Sequence, residues 1–473
     1  MSMDWKEAGL RAGLEIHQQL DTERKLFCRC LTTFSEAPSG PDVMRRLRPV
    51  AGETGEVDPA ALHEFRKGRF FVYKTYSQES CLIDLDSEPP LPLNQEALKI
   101  ALEIALLLNC EIPDEIHVMR KIVIDGSNTT GFQRTAVIGL DGSLSTAFGP
   151  VGIQGVSLEE ESAQILERGP GRTVFGLNRA GIPLVEISTA PDIHTPEQGR
   201  ELAEKLGLIL RSSRVKRGLG TIRQDLNISV KGGGRVVEIK GVQDLKNIPL
   251  IIETEAQRQL GLKAIAKEVR KASPDGSTTF LRPLPGAARL YPETDCFPVR
   301  IGPAFLKRIR DNLPELLEAK RSRAAQELGV GEATIKALEK ARKLDLFRKL
   351  AGFSSLNPSF TSQLLLSMDS EMRSKGARPE RAVPHLEKVL AMLDKGEIAK
   401  ESVMSILADL SLQKDPDLAK YRLGHADLES DIKTLLEENP GLSFGAYMGI
   451  LMGKLRGKVA GEEISRALKK ALG

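Results

Sequence analysis

The sequence predicts an α+β protein, with a mainly antiparallel β domain over residues 1–301 followed by a helical half. Two observations carry this. From Gly13 to about Pro298 the chain is rich in Gly, Pro and short β-type runs, and it lacks the regular βαβ alternation of a parallel sheet. After Ile301 the pattern changes to amphipathic segments with 3.6-residue apolar spacing.

The elements follow in chain order. Gly13 to Leu20 (GLEIHQQL) alternates as a strand, with Glu15 and His17 on one face and Leu14 and Ile16 on the other. Such a strand fits equally a site for a cation or an edge with its polar face in water. Asn94 to Asn109 has helical spacing, and Lys121 to Asp125 (KIVID) reads as a strand. Leu158 to Glu161 (LEEE) sets three carboxylates in succession, which repel unless solvated or shared with a cation. Leu184 to Ile187 is an apolar strand that carries Glu186 between Val185 and Ile187, an acid that needs a partner or water. Pro196 to Ser212 reads as a helix, with Thr195 as N-cap and Pro196 at its first position.

Arg211, Arg214, Lys216, Arg217 and Arg223 form a basic run that suits phosphate or RNA contact as well as a solvated loop. Arg223, Asp225 and Asn227 then share one face of TIRQDLNISV, a strand that includes Asn227 to Val230, and Glu238 and Lys240 share one face of VVEIK. Between them, Lys231 to Arg235 (KGGGR) reads as a hairpin turn and not as a phosphate cradle. The helical half is expected at Ala304–Leu328, Glu332–Leu350, Pro384–Leu393, Ser402–Leu410 and Asp431–Glu438. In the last 33 residues, six basic side chains face only Glu462 and Glu463, a local charge of +4. There Tyr447, beside Gly445 and Gly449, suits either an unstacked RNA base or the packing of the tail's own helices.

Composition bounds the function. A chain of 473 residues, 41% hydrophobic and 28% charged, has room for roughly three domains. Its 67 basic and 64 acidic residues nearly cancel, so nucleic-acid binding must come from local patches. Five scattered cysteines, an N-terminus without an apolar signal core and the lack of a run of roughly 18 apolar residues predict a soluble cytoplasmic protein with no membrane association. Cys28 and Cys30 have C-x-C spacing and Cys81 offers a third thiolate, but no fourth cysteine lies near, which argues against zinc. Neither a Walker loop nor a Ser/His/Asp or Cys/His nucleophile is visible.

Taken together, the acids, the imidazole and the basic groups of these strands are the ingredients for holding Mg²⁺ and a nucleoside triphosphate. In this order, GLEIHQQL with KLFCRC, RKIVIDGSNTTGFQR, LEEES, NRAGIPLVEISTAPD, RQDLNISV with VVEIKGVQDL, and YPETD resemble the B/E family of tRNA-dependent amidotransferase subunits over essentially the whole chain. AARLYPETD is most similar to the archaeal E branch. The resemblance implies a cradle domain over residues 1–301, a helical domain over 302–415 and a YqeY-like tRNA-binding tail over 416–473. It also implies ATP and Mg²⁺ as cofactors, with Glu15, His17, Glu160 and Glu186 around the metal, Glu159, Arg179, Arg223, Asp225 and Lys240 around the nucleotide, and Asp192 nearby. The implied reaction turns glutamate esterified to tRNA(Gln) into glutamine. Its ammonia would come from an asparaginase-like D-type partner, or in the B branch from an amidase of the A type with a small C-type protein. A non-catalytic tRNA-binding adaptor is the competing reading. Two departures stand out: the paired cysteines that the B branch places before its LPxLN string are reduced to Cys81, and the insertion that the E branch carries before YPETD is absent.

Overall fold

A computed structural model describes the chain except for residues 1–2, 52–54, 232–234, 263–265, 287–288, 353–355, 413–420, 422–427, 456–458, 460 and 473. It divides into two compact units, Met1–Leu317 and Glu318–Gly473. The glycines of the expected KGGGR turn and the boundary expected near residue 415 lie outside the described residues.

In the first unit the strands are β1 (Arg11–Gln19), β2 (Asp42–Arg45), β3 (Phe70–Lys74), β4 (Glu115–Ile116), β5 (Val118–Ile122), β6 (Phe132–Thr146), β7 (Gly149–Glu160) and β8 (Gln164–Gly169). They continue with β9 (Arg172–Gly176), β10 (Pro183–Thr189), β11 (Ile222–Ser229), β12 (Val237–Val242), β13 (Glu268–Ala272), β14 (Thr278–Pro283), β15 (Leu290–Pro292) and β16 (Val299–Arg300). Its helices are α1 (Pro59–Arg66), α2 (Gln95–Leu107), α3 (Pro196–Ser212), α4 (Ile248–Leu260) and α5 (Pro303–Asp311).

Among the described residues, ten strands form one sheet in the order β14-β13-β12-β11-β1-β10-β7-β6-β5-β15. Every junction is antiparallel except β12–β13, where the connection through α4 carries the chain back to start a parallel neighbour. A smaller sheet runs β2-β3-β9-β8, and β4 pairs with β16. The expectation of an α+β fold with a large, mostly antiparallel sheet and a helical C-terminal part therefore holds.

One face of the large sheet is apolar. Leu14 and Ile16 of β1, Val185 and Ile187 of β10 and Leu226 and Ile228 of β11 are buried in one cluster with the inner faces of α2, α3 and α4. α3 packs on β1, α4 on β11, and α2 on β6 and β7. The helix ends are set locally: Asn94 caps α2 by accepting from the Glu96 and Ala97 amides, and Thr195 with Gln198 forms a reciprocal capping box on α3. Each buried Leu or Ile is worth about 1.5–3 kcal/mol, so this face anchors the strands whose other face carries the charges.

The second unit consists of α6 (Leu317–Leu328, whose first residue closes the first unit), α7 (Glu332–Lys340), α8 (Leu344–Leu350), α9 (Pro358–Ser374), α10 (Pro379–Ala382), α11 (Leu386–Asp394), α12 (Val403–Leu412), α13 (Leu428–Glu438), α14 (Phe444–Leu455) and α15 (Gly461–Leu472). Two segments expected to be continuous are broken. Ala304–Leu328 is interrupted after Asp311, just before Pro314, which lacks the amide an uninterrupted helix needs. Glu332–Leu350 is interrupted where Arg342 takes a left-handed backbone with φ of 58°. One core gathers α7 to α12, and another gathers Ile432, Leu435, Tyr447, Leu451, Ile464 and Leu468. Tyr447 belongs to that core: its hydroxyl donates to the Asn439 carbonyl and accepts from the Leu442 amide, so its ring serves packing and is not offered to a base.

Candidate active site

Register places the site. β1 lies between β10 and β11, with Glu15 opposite Ser188 and Asp225, and His17 opposite Glu186 and Arg223. Side chains directly across a ladder share a face, so these residues all project from the side opposite Leu14 and Ile16. Two strands further along, Glu159 of β7 lies opposite Leu184 and so joins the same face as Glu186. The result is a cavity of about 460 Å³ floored by Glu15, His17, Glu186 and Asp225, with Glu238, Lys121, Arg223 and Lys240 around them. Lys67, Arg69, Arg168, Arg282 and Arg289 add a basic lining.

The centre is tightly coupled. His17 Nε2 lies 3.0 Å from Glu186 Oε2 and 3.4 Å from Glu15 Oε1, while Lys121 Nζ reaches Glu186 at 3.2 Å and also donates to Glu159. Burial and then the neighbouring Glu186 carboxylate push the Glu15 carboxyl up to about 7. Burial opposes the His17 imidazolium, yet the hydrogen bond and charge of Glu186 and the charge of Glu15 raise it above its ordinary value. Burial likewise opposes an ionised Glu186, but Lys121 and His17 hold it well below the usual carboxylate range. On the other flank Lys240 bridges Asp225, at 2.8 Å, and Glu238.

Two sets of donors here suit a hard cation. Ligand atoms of Glu15, His17 and Glu186 lie within 4.8 Å of one another, as do those of Glu15, Asp225 and Glu238. Glu159 Oε2 is buried without a hydrogen-bond partner beside them. A surplus of acceptors with one proton-hungry carboxyl is what a divalent ion relieves.

The structure gathers six of the expected residues at the cavity: Glu15, His17, Glu186, Arg223, Asp225 and Lys240. Glu159 lies just behind, held by Lys121 and Thr135. Glu160 is not brought to this group. As the neighbour of Glu159 it points through the other face, where Arg134 binds its carboxylate from both its amide, at 3.0 Å, and its guanidinium, at 3.2 Å. Arg179 does not line the cavity but clamps the carbonyls of Ser162 and Ala163 behind its wall, and Asp192 accepts from the Gly152 amide. In the basic run, Arg214 binds Asp21 and Glu96, and Lys216 donates to the Thr32 carbonyl, so both brace loops.

Lys121, Glu161 and Glu238 are additions. Glu161 is fully buried, accepts from Gln19 at 3.1 Å and Arg223 at 2.8 Å, and fixes the latter at the cavity edge. Burial disfavours its charge, but Arg223 and Arg179 lower its pKa below the ordinary value. Glu238 is visible in the sequence through its alternation with Lys240. Lys121 gives no such signal, because its role depends on which strands stand beside it.

A family model described as the GatB/GatE catalytic domain matches residues 10–307, well over half of the chain and the whole of this site. The chain belongs to that family. Among its GatB/GatE relatives, the E subunit of glutamyl-tRNA(Gln) amidotransferase from Methanocaldococcus jannaschii is 36% identical, covering 86% of this chain and 87% of its own. The E subunit from Methanothermobacter thermautotrophicus is 36% identical over 92% and 93%, and that from Pyrococcus horikoshii 35% over 86% of each. The alignment with the Methanothermobacter protein runs to 578 positions, more than the 473 residues of this chain, so that relative carries stretches with no counterpart here. Among the described residues, no helix is long and apolar enough to cross a membrane.

Proposed function

We propose that this chain is the ATP-using component of an amidotransferase that converts glutamate esterified to tRNA(Gln) into glutamine. The observation that carries the reading is the convergence of Glu15, His17 and Glu186 on one face of the sheet, ringed by Lys121, Arg223 and Lys240. The names of the relatives supply the substrate class.

The chemistry follows from a poor leaving group. A carboxylate does not exchange oxide for ammonia, so its oxygen first forms a bond to the γ-phosphorus of ATP while the bond to ADP breaks. Ammonia then forms the carbon–nitrogen bond, phosphate departs with the electron pair, and nitrogen loses one proton. Lys121, Arg223 and Lys240 are placed to draw in the triphosphate, and the arginines further out suit the tRNA backbone. Glu15, His17 and Glu186 would hold Mg²⁺, with Asp225 and Glu238 next to Glu15 as further oxygen donors. When bound, the ion takes up charge that builds on the transferred phosphoryl group. The buried ion pairs around the floor keep these side chains in place without rearrangement during reaction.

No amidase or glutaminase motif is visible in the sequence, so we assign the supply of ammonia to a partner. An asparaginase-like D-type partner fits the E-type character, with an amidase of the A type and its small C-type companion as the alternative. The full chain given Glu-tRNA(Gln), ATP, Mg²⁺ and ammonium should form Gln-tRNA, whereas asparagine alone should not serve. Binding of tRNA without tRNA-dependent ATP hydrolysis or amidation from ammonium would make the chain an adaptor instead.

A further inference from the structure

Helix α1 borders two cavities. One is the cavity floored by Glu15, His17 and Glu186; the other is a side pocket of about 270 Å³ between α1, β3 and the segment that follows β2. Glu64 and Arg69 line both, so the two spaces adjoin. The helix is anchored at its start. Asp58 Oδ1 accepts from the Ala61 amide at 2.9 Å and caps it, while Oδ2 accepts from the Gly286 amide at 2.8 Å. His63 lies edge-on to Phe280 of β14, with ring centroids 6.3 Å apart.

The side pocket joins aromatic faces to unpaired positive charge. Phe71 is buried edge-on to Phe175 at 6.0 Å, and it fills the space beside Gly126, where a Cβ would fall on its ring. Phe65, by contrast, is left 46% exposed at the rim. Leu47 packs inward against two apolar clusters, and its neighbours Arg46 and Arg48 stand exposed in the pocket lining. Among the described residues, Arg46, Arg48 and Arg69 have no carboxylate partner, whereas Arg45 is engaged by the Leu85 carbonyl and, at 3.8 Å, by Asp86. Glu64, the acid in the described lining, is held by Lys67 at 2.6 Å. The pocket is therefore strongly positive. An aromatic ring beside free guanidinium groups suits an unstacked base together with its phosphate.

The geometry points to this pocket as the seat of the terminal nucleoside of the tRNA acceptor strand, with Phe65 against the base and Arg46 and Arg48 on the phosphodiester that precedes it. The assignment rests on the amidation reading and deepens it. ATP also brings an adenine, but its triphosphate is matched by Lys121, Arg223 and Lys240 at the cavity floor. A second set of cations calls for a second phosphate-bearing ligand. The pocket has room for one nucleoside, and the ribose bearing the glutamyl ester would stand at the shared opening beside Glu64 and Arg69. From there the glutamyl carboxyl can extend to the floor while the polynucleotide stays outside.

The test is a binding cycle on the full chain with uncharged tRNA(Gln) and no ATP, so that it reads neither catalysis nor the ester. Removing the 3′-terminal adenosine from the tRNA should weaken binding to the wild type by about tenfold. Phe65→Ala should weaken binding of intact tRNA by about as much and should hold intact and shortened tRNA equally, because ring and base act as a pair. Arg46→Ala with Arg48→Ala should flatten the slope of log tRNA affinity against log salt by about 0.7, the contribution of one single-strand phosphate. Phe65 stands at the surface, so its truncation leaves the core of the unit in place. Losses from Phe65→Ala and from shortening that simply multiply overturn the assignment, as does a salt slope unchanged by the arginine pair. So does a Phe65→Ala protein that loses affinity for a non-hydrolysable ATP analogue while keeping that for tRNA, which would make this the adenine site of ATP. A chain that binds no tRNA at all would remove the amidation reading as well.

Discussion

Strand β1 presents two faces that behave as different materials. Leu14 and Ile16, each 1% exposed, are packed in the large core among apolar side chains. Glu15 and His17 on the other side belong to a group that does not settle itself: Glu15 is pushed up to about 7, and one Glu159 oxygen is buried without a donor. Stability therefore resides on one face and unused binding capacity on the other, within nine residues.

The largest effect should come from the charged face. His17→Ala or Glu186→Ala should lower kcat/KM for Gln-tRNA formation by about 10²–10⁴, with tRNA affinity within about threefold. Wild-type rates in both would remove the proposed site. On the apolar face Ile16→Ala should cost about 2–5 kcal/mol in denaturant melts while leaving the KM for ATP unchanged wherever the protein is folded. A loss below about 1 kcal/mol would show that this side is not the anchor described.

The third change should run in the opposite direction. Glu15 has its folded pKa, about 7, above its ordinary value of 4.5, so between those values the folded state holds a proton that the unfolded chain has released. Its contribution to stability thus falls as pH rises through that window and stays lost above it. Glu15→Gln removes the penalty, so the metal-free protein should gain on the order of 1–3 kcal/mol at pH 8 and almost nothing at pH 4.5. A loss of stability at pH 8 would mean that the carboxylate is already balanced there.

The smallest effect extends the comparison to α15, another element with two faces. Ile464 and Leu468 are buried, whereas Arg466, Lys469 and Lys470 are exposed. Replacing the three basic residues with Ala should flatten the slope of log tRNA affinity against log salt by about 2, with amidation at saturating tRNA intact. An unchanged slope would make this a solvated surface only. Substitution is a cleaner test than deleting the tail, because α14 and α15 supply most of the core around Tyr447.

The contrast between faces is also what made parts of the molecule legible. Alternation in β1 and an acid amid apolar neighbours in β10 point to Glu15, His17 and Glu186 without a structure, and α3 is bounded by its own Thr195 and Pro196. Leu158–Glu161 resists the same treatment. Adjacent acids on a strand point in opposite directions, and the pairing of Leu184 with Glu159 decides that Glu159, not Glu160, turns toward Glu186. Lys121 is hidden because β6, β7 and β10 must be laid down before β5 has a place relative to Glu186. The breaks at Asp311 and Arg342 fall within apolar spacing that continues across them, so periodicity alone runs through both.

The position of β1 at the middle of the sheet has a consequence for how the molecule is made. Both of its ladder partners, β10 and β11, come from residues 183–229, so β1 waits for about 170 residues of synthesis before the first neighbour is complete. At about 5–20 residues per second that interval is roughly 8–35 s, during which both edges of the strand bearing Glu15 and His17 are open to wrong pairing. Ribosome-bound chains halted before β10 should accordingly be the aggregation-prone and chaperone-dependent ones, and those extended past β11 should be markedly less so.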